Sequence, residues 1–152
     1  MGRDELLDAI RKAFAERPKP STIVSIDSTS THEYTEAAKF EEVLWEEIDS
    51  DLMDKASDAI YGLSAEAFAY FLPGFLSTGL RHDRVDYLIY DSLISMLDRG
   101  MGEIGWGDFF SQRWLLLNQQ ELLSFFPNGF YGYRIKVQTS FLREAWIGRL
   151  TQ

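Results

Sequence analysis

Apolar positions first fall into a helical rhythm near the start of the chain, where Leu6, Leu7, Ile10 and Phe14 recur with Ala9 and Ala13. Arg17-Pro18-Lys19-Pro20 ends that helix, because proline lacks the backbone donor and pushes its predecessor out of helical geometry. Residues 18–31 read as a loop or linker, rich in Ser and Thr, with an Ile23-Val24-Ser25-Ile26 patch that suits one short strand. From His32 to Ile48 the spacing predicts a helix with Tyr34, Ala37, Ala38, Leu44, Trp45 and Ile48 on its apolar side. A weaker helix is predicted from Leu52 to Tyr61, stopping at Gly62.

The strongest stripe comes next. Phe68, Phe71, Leu72, Phe75, Leu76 and Leu80 predict a central buried helix, with Ser64 as its N-cap and Glu66 in the first turn beside the positive end of the helix dipole. Pro73 predicts a kink within it. Asp83 to Leu97 predicts another helix, with Leu88, Ile89, Leu93, Met96 and Leu97 inward and Gly100 as its stop. Residues 100–107 hold Gly100, Gly102, Gly105 and Gly107 and read as a loop. Helical spacing resumes from Asp108 to Leu117. Asn118 and Glu121 then stand three apart, the spacing of a capping box, and open a helix to Phe126 closed by Pro127-Asn128-Gly129.

Tyr131, Tyr133, Ile135 and Val137 alternate as a strand would, but the stretch from Ile135 to Leu150 has the length and content of a closing helix, the preferred reading. The expected fold is all-α, a single compact domain of six or seven short helices over residues 1–152. One minor strand pair, 23–26 with 131–137, is the only β-structure allowed for.

Composition narrows the chemistry. The 152 residues are 45% hydrophobic and 26% charged. A chain of this length folds to about 8,000 Å² of surface from about 25,000 Å² unfolded, enough to form a core without disulfides or metals. The absence of cysteine removes thiol nucleophiles, thiolate zinc sites and iron–sulfur clusters. The longest uncharged run, Ala67 to Leu80, would span only about 21 Å as helix, against a hydrocarbon core of about 30 Å. The charged start lacks the apolar run of a signal peptide. The expectation is a cytoplasmic protein with no membrane attachment.

Charge changes the picture more. The net charge is −9, which argues against a general nucleic-acid binder. Residues 21–60 alone carry eleven acidic and two basic side chains, so the whole net charge resides in about a quarter of the chain. Glu42 and Glu46 stand four apart and repel on a helix by about 0.2–0.5 kcal/mol. One account is a solvated face that maintains solubility. The other is a docking surface for a basic protein, whose long-range field accelerates encounter. The candidate partner-binding set is Glu33, Glu36, Glu41, Glu42, Trp45, Glu46, Glu47, Asp49, Asp51 and Asp54. Trp45 among acids has the composition of a binding hot spot, although an inward-facing core Trp fits equally well.

Other chemistries find less support. Gly100-Met-Gly102-Glu-Ile-Gly105 spells GxGxxG, but a predicted helix precedes it where a dinucleotide fold requires a strand. His32 and Glu36 form an i,i+4 pair able to hold a divalent ion weakly, with Glu33 adding a carboxylate; the preferred reading is an exposed pair at a helix terminus. His82 adjoins Asp83, and no Gly-x-Ser-x-Gly elbow exists. The aromatic cluster Phe130 to Tyr133, with Arg134 and Lys136, is read as a packed loop before it is read as a contact surface. No catalytic residue, cofactor or metal ligand is assigned.

Leu63-Ser-Ala-Glu-Ala-Phe-Ala-Tyr-Phe-Leu-Pro73 resembles the Leu-Thr-Pro-Glu-Ala-Phe-x-Tyr-x-Leu-Pro stretch of a bacterial family of unknown function. Trp45 upstream and Phe110-x-x-Arg113-x-x-x-Leu117-Asn-x-Gln120 downstream match its other recurring features. The chain departs from it at Ala65, where the family often has proline, and in the 100–107 loop. This resemblance implies a small helical cytoplasmic protein and transfers no catalytic residue. At the level of role, small acidic immunity proteins of bacterial toxin systems are similar. The leading expectation is therefore a non-catalytic binding protein, of immunity or antitoxin type, whose acidic surface engages a basic protein. One alternative is a small hydrolase or metal-dependent enzyme using His32, Glu33 and Glu36, or His82 with Asp83 and Asp86. The other is an adaptor or oligomerisation module built on the aromatic C-terminal segment.

Overall fold

The first predicted helix forms from Arg3 to Phe14 (α1) in a computed structural model, which describes residues 2–25, 31–97, 112–113 and 116–125. Its first-turn acids, Asp4 and Glu5, and its last-turn bases, Arg11 and Lys12, complement the helix dipole, while Leu6, Ile10 and Phe14 turn inward. There follow α2 (Thr31–Ala38), a 3₁₀ turn (Trp45–Glu47), α3 (Ser50–Lys55), α4 (Ala59–Gly62), α5 (Ala65–His82), α6 (Leu88–Leu97) and α7 (Gln119–Phe125). Among the described residues the fold is all-α.

The only β pairing there is an isolated antiparallel bridge between Val24 and Leu63. The expected partner of the 23–26 patch, residues 131–137, lies outside the described residues, as do the 100–107 loop and the closing helix. Ser25 N–H donates to the Gly62 carbonyl and Ser64 N–H to that of Ile23, each at 2.8 Å, so residues 23–25 clip onto the entrance of α5.

Helix α5 organises the rest. The Ser64 hydroxyl accepts from Ala67 N–H at 3.1 Å, as the N-cap expectation required. Residues 67 to 80 are buried without exception, so the helix is wrapped on all sides rather than along one stripe. Phe40 meets it with rings centred 5.2 Å from Phe71 and 5.6 Å from Phe75. From the other direction, the Tyr90 hydroxyl donates to the Phe75 carbonyl at 2.7 Å. Pro73 lies inside the helix, followed by Gly74. A Cβ on Gly74 would run into the Trp45 carbonyl, so only glycine lets the 3₁₀ turn approach so closely.

Three predicted helices are shorter than their periodicity suggests. The helix expected from His32 to Ile48 ends at Ala38, and i to i+3 bonds carry the chain through Phe40 to Val43 before the 3₁₀ turn. The reason is angular: Phe40 and Trp45 are both buried, yet five residues turn a regular helix by about 140° away from a shared face. Breaking the helix lets Phe40 face α5 while Trp45 packs edge-on against Phe14, with ring centroids 6.5 Å apart. The helix expected over Leu52 to Tyr61 is split at Ala56, into α3 and α4. The one expected from Asp83 begins at Leu88, because Asp83 takes a left-handed conformation (φ 53°) and closes α5 by donating its N–H to Gly79. Leu88, expected inward, is 63% exposed; Tyr87, Ile89, Tyr90 and Leu93 form the inner face.

The capping box at α7 forms as its spacing indicates. Glu121 N–H donates to Asn118 Oδ1 at 2.9 Å and Asn118 N–H to Glu121 Oε2 at 2.8 Å. Glu121 is only 2% exposed, and Arg17 grips its carboxylate through Nε at 2.6 Å and Nη2 at 2.5 Å. The same Nη2 also reaches the Leu116 carbonyl at 2.7 Å. Arg113, whose Nη2 donates to the Leu63 carbonyl at 2.9 Å, is buried deeply enough that its pKa is pushed down to about 10.

Candidate functional site

The acidic segment divides into two kinds of carboxylate. Several are used by the fold itself. Asp49 Oδ1 caps α3 by accepting from Leu52 N–H at 2.8 Å, and Glu47 Oε2 holds the 3₁₀ turn by accepting from Leu44 N–H at 2.8 Å. Asp51 pairs with Lys55 at 2.7 Å along α3. Asp54 receives both terminal nitrogens of Arg84, each at 3.0 Å, and Arg84 also binds Asp86 at 2.8 Å. These contacts hold the Arg84 pKa above its ordinary value and that of Asp86 below it.

Glu41, Glu42 and Glu46 are exposed and have no side-chain partner among the described residues. Two lysines of this region are engaged elsewhere: Lys19 Nζ donates to the Glu41 carbonyl rather than to a carboxylate, and Lys39 Nζ to that of Lys55. Trp45 does not sit among these acids at the surface, since it is 4% exposed and packed on Phe14. The exposed apolar residue in this stretch of the chain is its neighbour Leu44, at 47% exposure. Of the two accounts of Trp45, the inward-facing core ring is the one that holds, because the 3₁₀ turn rotates that ring inward and its neighbour outward.

Glu36 is the second departure. Expected in an exposed pair, it is 6% exposed, facing the junction of α2 and α4. Its Oε2 accepts from Asp58 N–H at 2.6 Å, and its Oε1 lies 3.0 Å from His32 Nε2. Asp58 Oδ2 is 3.3 Å from the same nitrogen. Three ligand-capable side chains thus converge, with one candidate atom from each lying within 4.8 Å of the others. Glu33, the third group suggested by sequence, is not in this set. It serves the site through its backbone: a Cβ on Gly62 would collide with the Glu33 carbonyl, so the glycine seats α4 directly on α2.

Asp58 was the residue missed as part of a site. It stands 22 positions from Glu36, inside the helix predicted over Leu52 to Tyr61, where nothing local links it to His32. It occupies the N-cap position of α4 but makes no capping hydrogen bond, its carboxylate being turned toward His32 instead. The other proposed histidine site does not assemble in the same way: Asp83 pairs with Arg3 at 2.7 Å and Asp86 with Arg84.

No described helix is long and apolar enough to cross a membrane. No curated protein and no solved structure matches the chain. A family model does match, over residues 2–99, a range that takes in α1 to α6, both groups of acids and the histidine junction, and stops short of α7. The chain therefore belongs to the family of unknown function DUF6714.

Proposed function

We propose that the protein is a non-catalytic protein-binding module whose acidic face, centred on Glu41, Glu42, Leu44 and Glu46, docks a basic protein; an inhibitor of immunity or antitoxin type is its most concrete form. The observation that carries this reading is the division of labour among the acids. Asp49, Asp51, Asp54 and Glu47 each hold part of the fold, whereas Glu41, Glu42 and Glu46 are exposed without a partner among the described residues and flank an exposed leucine along the chain. An exposed apolar residue among charged ones suits a contact in which charge steers the encounter and the desolvated apolar side chain slows release. A cytoplasmic location belongs to the same proposal.

The test is affinity capture from native host lysate at low and high salt, using the wild-type chain and the triple variant Glu41→Lys, Glu42→Lys, Glu46→Lys. One basic protein held by wild type at low salt, released at high salt and absent from the triple-variant capture supports the docking face. The same proteins recovered on both chains would sink it. Glu47 is left intact because its carboxylate holds the turn.

A further inference from the structure

We propose that His32, Glu36 and Asp58 form a binding site for one divalent transition-metal cation of borderline softness, with Zn²⁺ as the best fit. The argument begins with a mismatch of hydrogen-bonding capacity. Imidazole Nε2 carries at most one hydrogen, yet two carboxylate oxygens converge on it, Glu36 Oε1 at 3.0 Å and Asp58 Oδ2 at 3.3 Å. A single hydrogen satisfies two such acceptors poorly; a cation at the centre of the three atoms satisfies all of them. The two distances from Nε2 agree, since ligands about 2.1 Å from a tetrahedral zinc lie about 3.4 Å from one another.

Charge argues in the same direction. No lysine or arginine pairs with Glu36 or Asp58 among the described residues, and Glu36 is 6% exposed, where an ionised carboxylate needs compensation. The site is also held in place. Glu36 and His32 are one helical turn apart on α2, and Gly62 locks α4 against that helix. Asp58 N–H fixes the second Glu36 oxygen at 2.6 Å, the kind of outer contact that orients a ligating carboxylate. Asp58 gives up the capping role its position offers and presents its carboxylate to the cluster. The imidazole ligand favours zinc, copper or nickel over magnesium, calcium and manganese, which prefer all-oxygen sites. His32 lies on the exposed side, leaving a path for the ion and a position for water.

The test is calorimetric titration of the chelator-treated full chain with ZnCl₂ and separately MgCl₂, repeated on His32→Gln, Asp58→Asn and the Glu42→Lys, Glu46→Lys double variant. The expected result is one zinc per chain, with affinity at least tenfold weaker in each of the first two variants, unchanged in the double variant, and no heat with magnesium. Circular dichroism confirms that each variant is folded; both cluster substitutions alter accessible side chains, so the buried Glu36 is left intact. Absence of one-to-one zinc binding overturns the proposal. So does zinc binding that survives both cluster substitutions, because the ion then sits elsewhere on the acidic surface. A Co²⁺ substitution provides a second readout: a visible absorption band that disappears in Asp58→Asn places the metal at this carboxylate, and a band retained there overturns the assignment.

Discussion

Two buried carboxylates lie in different parts of the molecule and are compensated differently. Glu121, at the head of α7, meets a permanent cation: Arg17 grips both oxygens, and a capping hydrogen bond completes the set. Glu36, where α2 meets α4, meets a backbone N–H and an imidazole that it shares with a second acid. The first arrangement is closed, with a guanidinium fork matched to a carboxylate, and ties the end of α1 to α7. The second leaves two carboxylates and a single ring nitrogen around one point. A fold that can pair a buried acid with arginine at one end leaves the other acid to be completed by something added.

Breaking the closed pair should have the largest effect. Arg17→Ala strands Glu121 without its cation, and loss of one partner of a buried pair costs about 3–5 kcal/mol. Urea unfolding should show the midpoint falling with little change in slope; a change under about 1 kcal/mol would mean that water already serves the carboxylate.

The open site should respond in the opposite sense. Zinc at one hundred times its dissociation constant should stabilise the wild-type chain by about 2.7 kcal/mol. Thermal melts with and without chelator measure this, and Asp58→Asn should show a much smaller shift. Glu36→Ala leaves the Asp58 N–H without its acceptor and should cost about 1–3 kcal/mol even without metal. Stability within about 0.5 kcal/mol of wild type would show that water replaces the carboxylate there.

The smallest effect on stability is expected at the outward acids. Glu41→Lys, Glu42→Lys and Glu46→Lys together change no buried contact and should stay within about 0.5 kcal/mol per site. Any partner should nevertheless associate more slowly, and its rate should lose salt dependence in stopped-flow measurements.

Much of this molecule was legible from one-dimensional pattern, and the reason is locality. The first helix, the Ser64 cap, the buried helix through Phe68 to Leu80 and the Asn118–Glu121 box all depend on residues a few positions apart. Helical periodicity and capping chemistry report such relations directly. The long helices over 32–48 and 52–61 were misread because their apolar spacing is locally acceptable. What ends the first is the demand that Phe40 and Trp45 reach different neighbours, Phe71 and Phe14 respectively.

The candidate sites divide along the same line. The excess of acid in residues 21–60, and with it an electrostatic field of one sign, is a property of composition that no fold could alter. The relation of His32 to Glu36 also follows from helical geometry, four residues making about one turn. Which acids are engaged was decided only in three dimensions, where capping and pairing occupied Glu47, Asp49, Asp51 and Asp54 and left Glu41, Glu42 and Glu46 free of partners among the described residues. Tertiary packing alone exchanged Trp45 for Leu44 at the surface, buried Glu36 and carried Asp58 across to it. Charge and local helix geometry are carried by neighbours along the chain, whereas burial and convergence depend on contacts between distant residues, and those exist only once helices such as α2 and α4 have packed.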